Sequence, residues 1–236
     1  MRVRVAILGA GGRMGSEVVR AVEADDELEL VARIGRGDAL ETMVDAGAEV
    51  AVDFTVPDAA PRNVAFALDH GVHAVVGTTG LGDDVLDDFA ARAGAANVVV
   101  APNFALGAVL MMRFAALAAP FFEAAEIVER HHDRKLDAPS GTSLRTAALM
   151  GDARGRAWRP GPGERGFDAA GVRIHSLRLP GSVAHQEVLF GGVGETLTIR
   201  HDSLDRTSFM PGVVLAVKRV ASTPGLTVGL EHLLGV

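Results

Sequence analysis

Val3 to Leu8 form a short β-rich run that stops at Gly9-Ala10-Gly11-Gly12-Arg13-Met14-Gly15, after which Val18, Val19 and Val22 fall at helical spacing. Few folds accommodate a strand that ends in glycine and opens directly into a helix. That junction aims backbone N–H groups and the positive end of a helix dipole at one point in front of the strand, a geometry suited to phosphate. Gly9 suits the tight turn, Gly12 the close approach of backbone to a ligand, and Gly15 the packing of helix on strand. As a bare string this is also an ordinary glycine turn. Its place at the first strand-to-helix junction of an alternating chain gives it weight.

The alternation continues. Leu28 to Ile34 and Val50 to Thr55 read as the second and third strands. Pro57 lies just inside a helix that runs to Asp69-His70 and is stopped by Gly71. Val72 to Val76 and Asn97 to Ala101 are the fourth and fifth strands, with a helix from Asp83 to Ala93 between them. Unbroken apolar strands alternating with helices predict an α/β fold, a Rossmann-like doubly wound parallel sheet buried on both faces.

After Asn103 the order changes. A helix over Ala105 to Ala119, a strand over Ala125 to Glu129 and a helix over Ser140 to Met150 are followed by Gly151 to Ala170, a Gly-, Pro- and Arg-rich stretch that reads as a mobile loop. Strands then follow at Val172 to Leu179, Val183 to Phe190 and Glu195 to His201, the last two joined as a hairpin through Gly191-Gly192-Val193-Gly194. Successive strands predict a second, α+β domain with a mixed or antiparallel sheet. A helix near Thr207 to Ala221 and the run Leu226 to Leu230 return to the first domain. The expected division is 1–104 with 213–236 as a dinucleotide-binding domain, and 105–212 as a substrate-binding domain.

Composition narrows the chemistry. The 236 residues hold 23 Lys and Arg against 30 Asp and Glu, a net charge of -7, which argues against nucleic-acid and anionic-membrane partners. With no cysteine there is no disulfide, thiolate nucleophile or Cys-ligated metal, and with no tyrosine there is no phenolic acid. The apolar run at the start is too short for a signal peptide or a membrane span, so a cytoplasmic protein is expected.

Preference between NAD and NADP is set at the end of the second strand, by a carboxylate on the ribose 2′-hydroxyl or an arginine on the 2′-phosphate. Here Arg33-Ile34-Gly35-Arg36-Gly37-Asp38 offers two arginines before any acid, which favours NADPH with Arg36, and Arg33 as the second candidate, on the phosphate. The alternative is that both are solvated loop charges. Gly77-Thr78-Thr79-Gly80 and Ala101-Pro102-Asn103-Phe104 follow the fourth and fifth strands, where open α/β sheets bind ligands and small residues let nicotinamide and ribose approach. Read alone, each is equally an ordinary turn.

Arg130-His131-His132-Asp133-Arg134-Lys135 concentrates basic groups in an acidic chain. On a strand, neighbouring residues point to opposite sides, so His131 and His132 have different jobs. Histidine, and lysine crowded by cations, exchange protons near neutral pH. The alternative leaves both histidines without chemistry. Next, Asp137-Ala138-Pro139-Ser140-Gly141-Thr142 opens a helix with Ser140 as N-cap and the N–H groups of Gly141 and Thr142 placed for a carboxylate. Together these suit a small dianion. No metal site is expected: the two histidines are adjacent and no His-x-x-x-His spacing accompanies them.

The glycine turn, Asp53-Phe54-Thr55, Gly77-Thr78-Thr79-Gly80, Pro102-Asn103-Phe104 and above all His131-His132-x-x-Lys135-x-Asp137-Ala138-Pro139-Ser140-Gly141-Thr142 resemble the 4-hydroxy-tetrahydrodipicolinate reductase (dihydrodipicolinate reductase) family, in order along almost the whole chain. The resemblance implies reduction of a cyclic dicarboxylate imine by NADPH or NADH in the diaminopimelate route to lysine, in a homotetramer built through the second domain's sheet. It implies that His131 is a proton donor or acceptor, that Lys135 donates a proton and binds substrate, and that His132, Gly141 and Thr142 contact substrate. Gly9, Ala10, Gly11, Gly12, Arg13 and Met14, then Gly77, Thr78 and Thr79, then Ala101, Pro102, Asn103 and Phe104 are implied dinucleotide contacts. The family often has an acid where Gly35 stands, and its loss here puts strong NADH use in doubt. The alternatives are another NAD(P)-dependent amino-acid-type dehydrogenase and a non-catalytic dinucleotide sensor.

Overall fold

A computed structural model describes residues 1–158, 163 and 165–235. In chain order the elements are β1 (Val3–Leu8), α1 (Arg13–Ala24), β2 (Leu28–Ile34), α2 (Glu41–Asp45), β3 (Val50–Asp53), α3 (Ala60–Asp69), β4 (His73–Val76), α4 (Asp83–Arg92), β5 (Val98–Val100), α5 (Leu106–Ala118), β6 (Ala124–His131), α6 (Gly141–Arg154), β7 (Phe167–Ala169), β8 (Val172–Arg178), β9 (Ala184–Gly192), β10 (Glu195–Ser203), α7 (Met210–Arg219), β11 (Leu226–Val228) and α8 (Glu231–Leu234). The chain divides into two compact units, Met1–Phe104 with Phe209–Val236, and Ala105–Ser208. The second crossing thus lies between Ser208 and Phe209, earlier than the expected 212/213, a position that would cut through α7.

The first unit is a six-stranded sheet in the order β11-β5-β4-β3-β1-β2, parallel at every pairing. Its inner strands are buried along most of their length because both faces are covered. β3 is Val-Ala-Val-Asp and β5 Val-Val-Val, β-branched runs with no solvated side. On one side of the sheet Leu8, Ile34 and Met43 share an apolar cluster; a second contains Val64, Leu68, Val76, Val98 and Phe89, the last with no exposed surface. Burying that ring contributes on the order of 2–3 kcal/mol.

Helix starts follow local chemistry. α4 opens with Asp83 and Asp84 and closes with Arg92, each charge placed to oppose the helix dipole. In α3 the proline of the first turn is Pro61; Pro57 lies before the helix, in a turn where the Ala59 and Ala60 N–H groups donate to the Val56 carbonyl at 3.0 Å. The two prolines stand four residues apart, and apolar spacing alone cannot choose between them.

The second unit is a mixed sheet ordered β10-β9-β6-β8-β7, with β6 antiparallel to β9 and parallel to β8. Ile127, Ile174, Val188 and Phe190 form its buried face, on the side of α5 and α6. Two expectations need correction. β6 runs on to His131, beyond Glu129, and α6 runs to Arg154, so that Gly151–Arg154 is its last turn and Phe167–Ala169 is a strand. The rest of the expected loop includes 159–162 and 164, which lie outside the described residues.

Gly15 fixes where α1 begins. A Cβ there would stand 2.0 Å from the Gly9 carbonyl oxygen and 2.7 Å from its carbon, both backbone atoms that cannot yield without moving β1 or α1. Gly15→Ala is therefore expected to lower the unfolding free energy by about 1–3 kcal/mol, read as a lower urea midpoint at unchanged m-value.

Candidate active site

In the first unit, the strand order reverses between β1 and β3, and there a cavity of about 910 Å³ opens at the carboxyl ends of β1, β2 and β3. Gly9, Gly11, Gly12, Arg36 and Asp38 are among its lining residues. A Cβ on Gly11 would meet nothing within 4 Å, and the α1 cap residue, Gly12, brings no side chain to the helix start. No acid lies in the first turn of α1. Backbone donors at a bare helix start, beside an arginine, fit a phosphate-bearing dinucleotide. Ala10, Arg13 and Met14 belong to the same turn without lining the cavity.

The other expected cofactor residues are placed differently. Arg33 is paired with Glu23 and does not line the cavity. Thr78 is buried, and its hydroxyl donates to Asp53 Oδ1 at 2.7 Å and accepts the Thr55 N–H at 3.0 Å. Gly77 is required by packing, since a Cβ there would lie 2.1 Å from the Phe54 ring. Phe104 is buried against the same ring with centroids 5.7 Å apart, and Ala101 is buried as well; Thr79 and Pro102 are exposed and Asn103 half-buried. Asp53, at the end of β3, is buried under donors from Thr55, Thr78 and Asn63 at 2.7–3.0 Å. It orders the loops after β3 and β4 from beneath.

In the second unit the basic cluster begins on the last two residues of β6, Arg130 and His131. Glu129 and His131 share a face of that strand, and His131 Nδ1 lies 2.5 Å from Glu129 Oε2. Arg178, opposite His131 on β8, donates to both carboxylate oxygens of Glu129 at 2.9 Å. The same guanidinium reaches the carbonyls of Lys135 at 3.3 Å and Asp137 at 2.6 Å, tying the loop to the sheet. Lys135 Nζ is 2.8 Å from Asp137 Oδ2. Ser140 caps α6 by accepting the Ser143 N–H at 3.2 Å, and Gly141 and Thr142 open the first turn, where helix donors and dipole favour an anion.

The electrostatics separate these groups. Burial opposes ionisation of Glu129, but hydrogen bonds from His131, Arg178 and Ser176 outweigh it and hold the carboxyl at about 2. Burial, reinforced by Arg134 and His131, pushes His132 below the usual imidazole range. The hydrogen bond from Lys135 holds Asp137 below the usual carboxylate range. Among the described residues no group of three or more His, Asp or Glu is placed to hold a metal ion, and no helix is long and apolar enough to cross a membrane.

The family model described as dihydrodipicolinate reductase, N-terminus, matches residues 3–104, and the one described as dihydrodipicolinate reductase, C-terminus, matches residues 107–234. The chain belongs to the dihydrodipicolinate reductase family. The 4-hydroxy-tetrahydrodipicolinate reductase of Streptomyces avermitilis is 55% identical over 245 residues, spanning 99% of this chain and 98% of the relative. That of Corynebacterium diphtheriae is 50% identical over 248 residues and spans 100% of both. Among solved structures, the dipicolinate-bound dihydrodipicolinate reductase from Paenisporosarcina sp. TG-14 superposes with a TM-score of 0.89 at 38% identity, covering 98% of this chain and 99% of that one. An amine dehydrogenase from Mycobacterium smegmatis, at 12% identity and a TM-score of 0.64 over 96% of this chain and 95% of its own, shares the fold alone. As a dihydrodipicolinate reductase the chain is an oxidoreductase that works with NADH or NADPH.

Sequence reading missed Glu129 and Arg178. Glu129 had a local signal: Ala125, Ile127, Glu129 and His131 are alternate residues of one strand, and an acid interrupts an otherwise apolar inward row. Arg178 had none, standing 49 residues away and meeting Glu129 only through the β6–β8 register.

Glu129 also makes stability depend on pH. A carboxyl whose folded value lies below its unfolded value of 4.5 adds stability above that value and loses it as pH falls toward about 2. Between about pH 5 and about pH 3, wild type is expected to lose about 2 kcal/mol more unfolding free energy than Glu129→Gln, measured by urea titration at each pH.

Proposed function

We propose that this chain is a 4-hydroxy-tetrahydrodipicolinate reductase, reducing a small cyclic imine with two carboxylates to tetrahydrodipicolinate with NADPH or NADH, in the diaminopimelate route to lysine. The observation that carries the reading is the second unit's constellation. His131, anchored by buried Glu129, and Lys135, tied down through Arg178, belong to the same short segment as the α6 start at Gly141 and Thr142. A dicarboxylate ligand in a relative of 38% identity supports the substrate class.

NADPH or NADH, when bound, supplies hydride to the ring carbon conjugated with the imine. Gly9, Gly11, Gly12 and Arg36 would hold its phosphates. The local cations gather a dianion despite the chain's net charge of -7. Gly141 and Thr142 take one carboxylate, and neutral His132 orients the ring by hydrogen bonding. The 4-hydroxyl leaves as water to give the conjugated ring, and His131 and Lys135 deliver the proton that completes addition of hydride and proton across one double bond of it. Replacing both by Ala is expected to lower kcat by roughly 10²–10⁴-fold while leaving NADPH affinity at the wild-type level, followed by absorbance in an assay coupled to dihydrodipicolinate synthase, pyruvate and aspartate semialdehyde. Near-normal turnover removes both from the chemistry.

Both dinucleotides are accommodated at the end of β2. Arg36 serves the 2′-phosphate. The acid missing at position 35 is replaced by Asp38, whose Oδ2 accepts the Gly35 N–H at 2.8 Å and stands 3.4 Å from where a Gly35 Cβ would be. Arg36→Ala is expected to cut kcat/KM for NADPH roughly ten- to a hundredfold with little effect on NADH, and Asp38→Asn to act mainly on NADH. An unchanged NADPH to NADH ratio in both variants rules this arrangement out.

A homotetramer joined through the second unit's sheet is part of the same proposal. The sheet face opposite α5 and α6 carries exposed Leu177 and Leu189 among Glu126, Arg173 and Glu187, an apolar centre with polar surroundings. The enzyme is placed in the cytoplasm, where reduced nicotinamide is available.

A further inference from the structure

Three neighbouring groups depend on one side chain. The Glu129 carboxylate has no exposed surface. One oxygen faces His131 Nδ1 at 2.5 Å and the other accepts the Ser140 N–H at 3.3 Å; Arg178 donates one hydrogen bond of 2.9 Å to each. Ser140 is the cap of α6, and Arg178 holds the carbonyls on either side of Leu136 in the Lys135–Asp137 loop. A buried chain of hydroxyls and amide continues from there. Ser140 Oγ is 2.8 Å from Ser143 Oγ, Ser143 donates to Gln186 Oε1 at 2.8 Å, Gln186 Nε2 donates to Thr146 Oγ1 at 2.8 Å, and Thr146 donates to the Thr142 carbonyl at 2.7 Å.

We infer that Glu129 is the positioning residue of the reaction: its carboxylate takes the Nδ1 proton of His131 in a hydrogen bond, leaves Nε2 as the nitrogen that exchanges a proton with substrate, and sets the start of α6 in the same act. An ionised carboxylate only accepts hydrogen bonds, so the contact exists only if Nδ1 carries the proton. In the neutral ring Nε2 is then the acceptor, and in the cation the Nε2 proton is the one that leaves. His131 gives that proton to a ring atom of the substrate as hydride arrives beside it, and returns to the neutral Nδ1–H form with no net change in Glu129. Lys135, Asp137 and Arg178 are the other charged groups held around this pair. Glu129 touches neither substrate nor dinucleotide in this scheme.

Glu129→Gln keeps the shape and removes the obligatory acceptor. With Arg178 donating toward both terminal atoms, the amide can present its oxygen to only one partner, and its NH₂ competes for His131 Nδ1. The inference rests on the proposed reductase activity for its kinetic arm and is independent of it for its spectroscopic arm. In ¹⁵N-imidazole NMR at about pH 9, where an ordinary histidine is neutral, wild-type His131 is expected as the Nδ1–H tautomer and Glu129→Gln as mainly Nε2–H. A wild-type Nε2–H signal overturns the proposal, whether or not the variant folds. In kinetics, Glu129→Gln is expected to lower kcat by roughly 10²-fold or more with KM for NADPH unchanged. In a His131→Ala background the same change is expected to cost almost nothing further. An equal loss of kcat in both backgrounds marks Glu129 as merely structural and overturns the assignment. Failure of wild type to oxidise either nicotinamide with substrate rejects the activity and leaves the tautomer result standing.

Discussion

A single ionised carboxylate with no exposed surface organises the second unit. Removing such a charge from water costs several kcal/mol, and the structure is tenable only because donors converge on it. Arg178 arrives from the neighbouring strand, His131 from two positions along the same strand, and Ser140 from the turn that begins α6. Each partner is thereby brought to a fixed place. Asp53 does the same for the loops after β3 and β4 of the first unit, with neutral donors in place of a cation. In both units a buried acid at or near the end of a central strand gathers donors from the loops that follow, so order there comes from satisfying a buried carboxylate.

The strand-and-helix alternation of the first unit was legible because the inner strands are apolar along most of their length on both faces, a pattern that a solvated sheet face would have broken with polar residues at every second position. The glycine turn was legible for the same local reason, its packing against Gly9 being written into the small residue at position 15. What failed to show were arrangements decided across the sequence. The pairing of Arg33 with Glu23, ten residues earlier, is one of them. The last turn of α6 looks like loop, because Gly151 opens it. It is helical because the buried Arg154 guanidinium donates to the Ala119 carbonyl at 3.0 Å and lies 4.1 Å over the Trp158 ring. Thr78 reads as a cofactor hydroxyl; what the sequence does not show is that it also donates to Asp53 and accepts the Thr55 N–H.

Charge illustrates the difference between a whole-chain quantity and a site. The net value of -7 speaks against an acidic substrate, and the segment Arg130 to Lys135 speaks for one. The segment prevails because screening confines each charge's influence to about 10 Å in ordinary salt, while the acids are spread over both units. Within it the cations are not equivalent. Lys135 is offset by Asp137, whereas Arg178, which joins from β8, is offset by Glu129.

The pairing of β11 with β5 bears on how the protein is made. Leu226–Val228 adds the edge strand to a sheet whose other strands are complete by residue 100. On the ribosome, β5 emerges with one edge bare and stays so while the entire second unit is translated, an unpaired strand able to recruit the wrong partner. β5 is only three valines long and β11 only three residues, so the exposed ladder is brief. The insertion of one folding unit inside another thus makes timing of synthesis part of the structural problem, and a short edge keeps that delay tolerable.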